Sequence, residues 1–233
     1  MTQLVLIRHG QASFGKANYD KLSPLGEKQS RIAGRALQAQ GWVFDALIAG
    51  DMDRQQVTAQ QAAAGLSVAP AIQTRPAFNE YDAAALFAAY MPRVLAQDPA
   101  LAEKEKELFK DRRLFQKAFA QMTRMWLAGE PHSLTNFESW NNFRERVRDG
   151  LAEIYKDFGR DARVALFTSG GPIAVATGTA LGVSDDMMIQ TNWTVYNASF
   201  TEFSSNKDGW RLMGFNNISH LRRENDPDLI THR

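Results

Sequence analysis

The residues with the clearest chemical potential stand together near the start of the chain, as Arg8-His9-Gly10. They follow a short apolar run, residues 4–7, that predicts a buried strand. Open α/β sheets bind ligands at strand ends, and Gly10 permits a sharp turn there. A guanidinium beside an imidazole suits chemistry on a phosphoryl group, because arginine neutralises the oxygens and neutral histidine attacks phosphorus. Taken alone, the tripeptide is more typical of a loop histidine beside a surface arginine.

Three further junctions between a predicted strand and the next helix carry polar residues of the same kind. Arg54 lies in the first turn of a helix, where backbone N–H groups already favour an anion. Glu80 is a candidate general acid, with the nearby Asp82 as an alternative. Ser169 and Gly170 offer a hydroxyl and a backbone N–H at a helix start, which can cradle a phosphate. Each junction alone also fits a surface side chain or a tight turn that binds nothing.

The elements that must position these residues alternate between strands and helices over most of the chain. Such alternation favours a layered α/β fold with a mostly parallel sheet. The last two strands are joined by a short turn and must pair antiparallel if they pair, so the sheet is predicted to be mixed. The predicted strands are residues 4–7, 44–48, 68–73, 164–167, 194–203 and 210–215, and the predicted helices are residues 24–40, 52–64, 140–158 and 172–181.

The stretch 83–129 shows a helical pattern only, and we interpret residues 83–142 as a helical insertion within a single domain of residues 1–233. The charged run 103–106 is expected to be the solvated face of one long helix in this stretch. No motif here identifies a substrate, and its apolar helices could form a lid, a partner surface or a homodimer contact. Five apolar residues would share one face of that helix: Leu108, Phe115, Phe119, Met122 and Trp126.

The composition is that of an ordinary globular protein, with 233 residues of which 44% are hydrophobic and 23% charged. The net charge of +1 predicts no strong attraction to nucleic acid or to an anionic membrane. The absence of cysteine excludes disulfides, thiolate chemistry and cysteine-based metal sites. Residues 164–184 carry no charge, but Ser-Gly-Gly-Pro interrupts them and favours a strand, a turn and a helix over a membrane span. We expect a soluble, cytoplasmic protein without a signal peptide, whose polar tail from Arg222 frays.

Taken together, these motifs resemble those of the histidine phosphatase superfamily, also called phosphoglycerate mutase-like. Arg8-His9-Gly10 resembles its opening motif. The other matching stretches follow in the same order along the chain, apart from the helical insertion. They are residues 22–29, which match Leu-Ser/Thr-x-x-Gly-x-x-Gln, residues 54–59, which resemble Arg-Ala-x-x-Thr-Ala, residues 78–80, which resemble the segment with the catalytic glutamate, and residues 216–221 toward the C-terminus.

The resemblance implies a three-layer α/β/α sandwich in which His9 is the catalytic nucleophile. Neutral His9 would attack the phosphoryl group of a small phosphorylated substrate and give a phosphohistidine. Arg8 and Arg54 would hold the phosphoryl oxygens and offset charge in the transition state. Glu80 would protonate the leaving oxygen and then activate the water that cleaves the phosphohistidine. The resemblance implies no metal and no organic cofactor.

Two positions depart from the superfamily pattern. Ser169 stands where members normally have a second histidine, whose charged form donates a hydrogen bond to the phosphoryl oxygens. Loss of one donor from such a site costs about 2.7–4 kcal/mol, or roughly 10²–10³ in rate. The backbone N–H groups of Gly170 and the next glycine still predict phosphate binding. Gly15 replaces an asparagine of many members, and the segment that marks true phosphoglycerate mutases is absent, so glycolytic mutase activity is not expected.

The sequence therefore predicts a phosphatase-like hydrolase of small phosphomonoesters, slowed or specialised by Ser169. A second hypothesis, motivated by the missing histidine, is a non-catalytic phospholigand-binding or interaction protein on the same fold. A third is a serine hydrolase with Ser169 as nucleophile, followed by Asp185 or Asp208 and then His220. The third leaves the opening tripeptide unexplained. Three loop residues could also line the site: Lys16, Asn18 and Tyr19.

Overall fold

The computed structural model describes residues 1–13, 20–207 and 209–232, with Arg112 described by its backbone alone. Five residues named above lie outside the described ranges: Gly15, Lys16, Asn18, Tyr19 and Asp208. The strands are β1 (Gln3–Arg8), β2 (Ala46–Ala49), β3 (Ile72–Thr74), β4 (Arg163–Thr168), β5 (Phe200–Asn206) and β6 (Gly209–Asn217). The α-helices are α1 (Pro24–Ala39), α2 (Asp53–Ala63), α3 (Ala83–Gln97), α4 (Pro99–Ala102), α5 (Arg112–Leu127), α6 (Trp140–Phe158), α7 (Gly170–Leu181), α8 (Asp185–Asn192) and α9 (Ser219–Arg222).

The strands of the described ranges form one mixed sheet in the order β3-β2-β4-β1-β5-β6. β1, β2, β3 and β4 run parallel to one another. β5 runs antiparallel to β1, and β6 runs antiparallel to β5. The predicted class, an α/β fold with a mostly parallel mixed sheet flanked by helices, is confirmed.

The central strands β1 and β4 lie where the chain connections leave in opposite directions. After β1 the chain passes through α1 to β2, on the far side of β4, whereas after β4 it passes through α7 and α8 to β5, on the far side of β1. Arg8 pairs with Thr168 in the parallel register, so both strands end at the same level. The crevice outside such a pair of carboxyl ends is where open α/β sheets bind ligands. The fold therefore brings the segments after Arg8 and Thr168 side by side.

One face of the sheet packs against α1, α2 and the C-terminal segment. Val5 and Ile7 point to this face together, because alternate residues of a strand share a side. They belong to one buried cluster with Leu37 of α1, Ala59 of α2 and Leu221 of α9. On the rest of the sheet, α7 contacts β1 and β6. Burial of this apolar surface is the main stabilising contribution to the unit that carries the sheet.

The uncharged stretch 164–184 folds into the end of a strand and a helix, as predicted, but the helix begins at Gly170, two residues earlier than expected, with only Ser169 between the two elements. β4 ends at Thr168, and α7 ends at Leu181, followed by Gly182, which adopts the left-handed φ of +66° that glycine favours. No α-helix within the described residues is both long enough and apolar enough to span a membrane.

By its internal contacts the chain divides into two compact units, residues 1–80 with 146–233 and residues 81–145. The first unit contains the whole sheet. The second contains α3, α4, α5 and the start of α6, and its core includes a cluster of aromatic rings around Trp126. The assignment of residues 83–142 as an insertion within one domain stays a prediction.

The charged run 103–106 does not lie on α5, so the single long helix predicted for this stretch is wrong. α4 ends at Ala102, and a 3₁₀ turn covers Glu105–Glu107. Asp111 then caps α5 by accepting backbone N–H bonds, and this start signal outweighs the continuous periodicity. Leu108 is still buried, at 2% exposure, although it precedes the helix on which it was expected.

The strand predicted over residues 194–203 begins only at Phe200. The segment before it contains α8, which the sequence analysis missed. Only Met188 and Ile189 of this short helix are buried, so its hydrophobic periodicity is weak. Ser184 caps it, with Oγ accepting the N–H of Met187 at 3.4 Å.

The tail beyond Arg222 does not fray, contrary to the expectation from its polar sequence. Leu229 is fully buried, and its carbonyl oxygen accepts a hydrogen bond from Gln29 Nε2 at 2.9 Å. The N–H of Asn197 donates to the carbonyl oxygen of Thr231, also at 2.9 Å. Thr231 Oγ1 also accepts a hydrogen bond from Gln29 Nε2 and donates one to Asn197 Oδ1, both at 2.9 Å. A buried leucine and several hydrogen bonds therefore hold the tail against α1 and the segment before β5.

Truncation of this anchor should destabilise the whole fold. We expect Leu229→Ala to lower the free energy of unfolding by about 2–4 kcal/mol, because it removes buried methyl groups and leaves a cavity. The matched control is Leu181→Ala, since Leu181 is 58% exposed, and its effect should stay within about 0.5 kcal/mol. Urea unfolding followed by circular dichroism measures both, and equal effects would show that the tail is not part of the folded core.

Candidate active site

His9 is the first residue beyond β1, and backbone contacts hold it in the crevice between β1 and β4. Its N–H donates to the carbonyl oxygen of Thr168 at 2.8 Å. Its carbonyl oxygen accepts hydrogen bonds from Asn197 Nδ2 at 3.1 Å and from the N–H of Ala198 at 3.3 Å. His9 is only 6% exposed. Two strand ends and the segment before β5 therefore fix the position of this imidazole.

The two ring nitrogens of His9 face different partners. Nδ1 lies 2.7 Å from the carbonyl oxygen of Gly10, which can only accept, so Nδ1 carries the proton of the neutral ring. Nε2 therefore holds the lone pair, and Arg54 Nε donates to it at 3.2 Å. The ring presents its nucleophilic nitrogen to a guanidinium.

The pKa of His9 lies well below its usual value near 6.5. Burial is the largest cause, and the positive charges of Arg54 and Arg8 lower the pKa further, while the hydrogen bond to Gly10 acts in the opposite direction. The ring is consequently neutral at physiological pH, which is the form that can attack an electrophile.

Arg54, in the first turn of α2, is held by an acidic residue from the loop before α1. Its Nη1 lies 2.6 Å from Asp20 Oδ1, and Arg54 is only 6% exposed. Asp20 Oδ2 also accepts the backbone N–H of Asp53 at 2.8 Å. The residue before α2, Met52, supplies no side-chain cap, so Asp20 caps this helix from a distance. One carboxylate thus orders both the helix start and the guanidinium that faces His9.

Gly10 allows the turn after His9 because its backbone passes directly against α1. A Cβ at residue 10 would lie 2.2 Å from the carbonyl oxygen of Gly26, and a Cβ at residue 26 would lie 2.1 Å from that of Gln11. The Gly10 N–H donates to Thr58 Oγ1 of α2 at 3.1 Å. The motif glycines at 10 and 26 therefore serve close backbone approach, which brings α1 and α2 against the turn that carries His9.

Arg8 ends β1 beside the segment that precedes β5. Its Nη1 donates a short hydrogen bond to the carbonyl oxygen of Val195, and its own carbonyl oxygen accepts the N–H of Ala198 at 3.0 Å. Ala198 has a positive φ of +55°, an unusual conformation for a residue with a Cβ. The guanidinium of Arg8 is thus anchored by the backbone of the segment before β5.

Glu80 reaches the start of α7, in the neighbourhood of Ser169. Its Oε2 accepts the backbone N–H of Gly171 at 3.0 Å. A carboxylate is favoured there by the positive end of the helix. The Gly171 N–H therefore donates to Glu80 in this structure, although the sequence predicted that it would bind phosphate.

Ser169 is the N-cap residue of α7 and is fully buried. Its Oγ accepts a hydrogen bond from Gln55 Nε2 at 2.8 Å, and the same nitrogen donates to the carbonyl oxygen of Phe78 at 3.0 Å. Thr168 Oγ1 donates to that carbonyl oxygen too, at 2.7 Å. The carboxamide of Gln55 fills the space beside the serine hydroxyl, so an imidazole at position 169 would have to displace it.

Three residues of this site were missed by the sequence analysis: Asp20, Gln55 and Asn197. A signal existed for Gln55, because residue 55 is alanine in the Arg-Ala-x-x-Thr-Ala pattern that this stretch resembles. Asp20 and Asn197 carry no motif. Each contacts a partner more than thirty residues away, and such pairing follows from the tertiary fold alone.

The geometry does not support the serine hydrolase hypothesis. His220 Nε2 lies 3.0 Å from the carbonyl oxygen of Ala198, and its ring stacks on Phe200 with centroids 4.1 Å apart. His220 Nδ1 has no partner among the described residues. Within the described residues, the side-chain hydrogen bond of Ser169 is the one it accepts from Gln55 Nε2, and its hydroxyl has no histidine partner. His220 instead supports the backbone beside His9.

No group of three or more histidine, aspartate and glutamate side chains within the described residues could hold a metal ion. The site is instead built from two arginines, one imidazole, one carboxylic acid and neutral hydrogen-bond donors: Arg8, Arg54, His9, Glu80, Ser169 and Gln55. Such a set suits an anionic ligand with an electrophilic centre.

Comparison with known proteins places this arrangement in a family. A model of the histidine phosphatase superfamily (branch 1) matches residues 4–218, so the chain belongs to that superfamily. Among solved structures, it is similar to YhfR of Bacillus stearothermophilus, at 16% identity over 95% of this chain and 100% of that one, with a TM-score of 0.68. A phosphoglycerate mutase from Bacillus anthracis has 17% identity over 97% of both chains and a TM-score of 0.67. A phosphoserine phosphatase from Entamoeba histolytica has 20% identity over 95% of this chain and 100% of that one, with a TM-score of 0.63.

At these identities the structural likeness concerns the fold alone, which is phosphoglycerate mutase-like. Membership of the superfamily supports a phosphoryl-transfer enzyme in general terms.

The buried His220 should make folding stability depend on pH. Burial lowers its pKa from 6.5 to about 4, so between these values the unfolded chain binds a proton that the folded protein does not. Stability should therefore fall as the pH drops from 6.5 toward 4, by up to about 3 kcal/mol from this residue. His220→Gln keeps an N–H donor but does not titrate, so its unfolding free energy should change less over this range. Urea unfolding at several pH values measures the slope. His232→Gln, at an exposed histidine, is the control, and an unchanged slope in His220→Gln would contradict the assignment.

Proposed function

We propose that the protein hydrolyses small phosphomonoesters through a phosphohistidine on His9. The observation that carries the proposal is the state of the ring, with Nδ1 directed to Gly10 O at 2.7 Å and Nε2 to Arg54 Nε at 3.2 Å. A neutral imidazole whose lone pair meets a guanidinium is suited to a ligand that combines an electrophilic centre with anionic oxygens. A phosphoryl group has both.

In the first step, His9 Nε2 forms a bond to phosphorus as the bond from phosphorus to the leaving oxygen breaks. Arg54 releases Nε2 and binds a phosphoryl oxygen instead, together with Arg8. The Ser169 hydroxyl contributes one neutral donor. These donors stabilise the negative charge on the phosphoryl oxygens where water is largely excluded, since His9 and Arg54 are each 6% exposed.

Glu80 moves the protons in both steps. Its acid form protonates the leaving oxygen, so the alcohol departs neutral. The resulting carboxylate takes a proton from water, and the water oxygen attacks phosphorus as the N–P bond breaks. Phosphate leaves, and Nε2 regains its lone pair. The Gly171 N–H donates to Oε2, so in this proposal the other carboxyl oxygen of Glu80 carries the transferred proton.

The substrate class is a small phosphorylated metabolite, with no metal or organic cofactor needed. The proposal is supported by similar structures of a phosphoserine phosphatase and a glucosyl-3-phosphoglycerate phosphatase, both named as phosphatases. Ser169 supplies a donor without charge, so we propose slower turnover than a site with a charged donor would give.

A second candidate function is phosphate binding without turnover. It is favoured by the neutral Ser169 hydroxyl, which can donate to a bound phosphate but brings no positive charge to the transition state of phosphoryl transfer. Calorimetric binding of inorganic phosphate with no hydrolysis of any phosphomonoester would support this candidate over the first.

Removal of the nucleophile tests the phosphohistidine route. His9→Ala should reduce hydrolysis of p-nitrophenyl phosphate at least about a thousandfold, because it removes the imidazole that accepts the phosphoryl group in the proposed mechanism. The wild-type protein, quenched during turnover with radiolabelled substrate, should carry an acid-labile, alkali-stable phosphate. His232→Ala is the control and should retain full activity. Hydrolysis by His9→Ala at the wild-type rate would exclude the mechanism.

Glu80 and Asp82 can be distinguished by the same carboxylate-to-amide change. Glu80→Gln should lower kcat about 10²–10⁴-fold, because an amide cannot transfer the proton. In this variant, phosphohistidine should accumulate with p-nitrophenyl phosphate. The p-nitrophenolate leaving group departs without an acid, whereas hydrolysis of the phosphohistidine still needs a base. Asp82→Asn should change little, since Asp82 caps α3 through the N–H of Ala85 at 2.9 Å and asparagine can do the same. The opposite result would assign the role to Asp82.

A further inference from the structure

Gln55 is a buried polar side chain that the mechanism above does not use. It occupies the third position of α2, next to Arg54, and is 0% exposed. Its Nε2 donates to Phe78 O at 3.0 Å and to Ser169 Oγ at 2.8 Å. Its Oε1 is buried without a hydrogen-bond partner among the described residues. An amide that leaves its own oxygen unsatisfied in a protein interior is unfavourable for stability, which indicates that Gln55 serves a function other than stability.

The carbonyl oxygen of Phe78 fixes which way this amide points. A carbonyl oxygen only accepts, so it requires the NH₂ side of Gln55 rather than the oxygen side. Thr168 Oγ1 donates to the same carbonyl at 2.7 Å, which occupies its second lone pair. Flipping the Gln55 amide would place Oε1 against Phe78 O, two acceptors with no proton between them. The NH₂ group therefore also faces Ser169.

The orientation of Gln55 in turn decides the role of the Ser169 hydroxyl. Because Oγ accepts a proton from Gln55 Nε2, the single hydroxyl proton of Ser169 points away from Gln55. Ser169 follows the last residue of β4, at the crevice where His9 N donates to Thr168 O. The hydroxyl proton is thereby kept for a ligand in the crevice.

We propose that Gln55 is a positioning residue that holds Ser169 as a hydrogen-bond donor to the phosphoryl oxygens of the ligand. The carbonyl oxygen of Phe78 fixes the orientation of the Gln55 amide, and that amide in turn fixes the direction of the Ser169 hydroxyl. It gives a neutral serine a fixed donor direction in a site that would otherwise let the hydroxyl rotate. The inference rests on the proposed phosphate site but not on turnover.

Affinity for inorganic phosphate, measured by titration calorimetry, tests the inference without any need for catalysis. Ser169→Ala should weaken binding about tenfold or more, as expected for loss of a hydrogen bond to a charged group. Gln55→Ala should weaken it about three- to tenfold in the wild-type background. In the Ser169→Ala background the same change should have no further effect, because Gln55 acts only through that hydroxyl. Gln55→Met replaces Gln55→Ala if the latter does not fold, since it fills the volume without polar atoms.

Gln56→Ala is the matched control. This neighbouring glutamine of α2 donates to the carbonyl oxygen of Gly50 and to Thr74 Oγ1 at 3.1 Å, and has no contact with Ser169. It should change folding stability without changing phosphate affinity. A Gln55 effect of equal size in both backgrounds would overturn the positioning role. A wild-type protein that binds no phosphate would overturn the proposed function as well, so the two failures are distinguishable.

Discussion

His9 Nδ1 donates its proton to the carbonyl oxygen of the next residue, Gly10, and this local hydrogen bond determines how the rest of the site is used. It fixes the tautomer, leaves the lone pair on Nε2 and directs that nitrogen toward Arg54. The bond requires the turn at Gly10, and the turn requires the close approach of Gly10 to Gly26 of α1. The close packing of α1 against the turn at Gly10 thus determines which ring nitrogen of His9 carries the proton.

Burial has two different consequences for the histidines of this unit. His9 and His220 both have lowered pKa values, and desolvation is the main cause for each. His9 also faces the positive charges of Arg54 and Arg8, which prepare it for an anion. His220 stacks on Phe200 and supports the carbonyl of Ala198, which lies behind the crevice. Desolvation therefore keeps His9 neutral in the candidate active site, and it keeps His220 neutral where that ring supports the backbone.

The sequence was most informative where function and local structure coincide. His9, Arg54 and Ser169 each follow a strand, and a strand end can be recognised from a few apolar residues before a glycine or a cap. The register that brings Arg8 opposite Thr168 could not be predicted, because it depends on which strands become neighbours in the sheet. The ion pair of Asp20 with Arg54 could not be predicted for the same reason, because it depends on which segments become neighbours in the fold.

The errors in the fold prediction have a common physical origin. Asp111 starts a new helix within a continuous helical periodicity, and Leu229 anchors a tail whose composition is polar. In both cases one residue with a specific contact determines the local structure, and the hydrophobic pattern or polarity of the surrounding segment does not. Gln55 is a similar case in the site, since a single amide determines the hydrogen-bonding role of Ser169.

The position of β1 at the centre of the sheet has a consequence for how the chain folds. Leu4 pairs with Val164 on one side and with Phe203 on the other, so the first strand to be synthesised must wait for partners from the last third of the chain. Such long-range pairing slows folding, because the large loop between the partners must close first. During translation, β1 is an unpaired apolar strand until β4 has left the ribosome, which is a period of exposure to aggregation. His9 is therefore made early, but the site around it is completed among the last steps of folding.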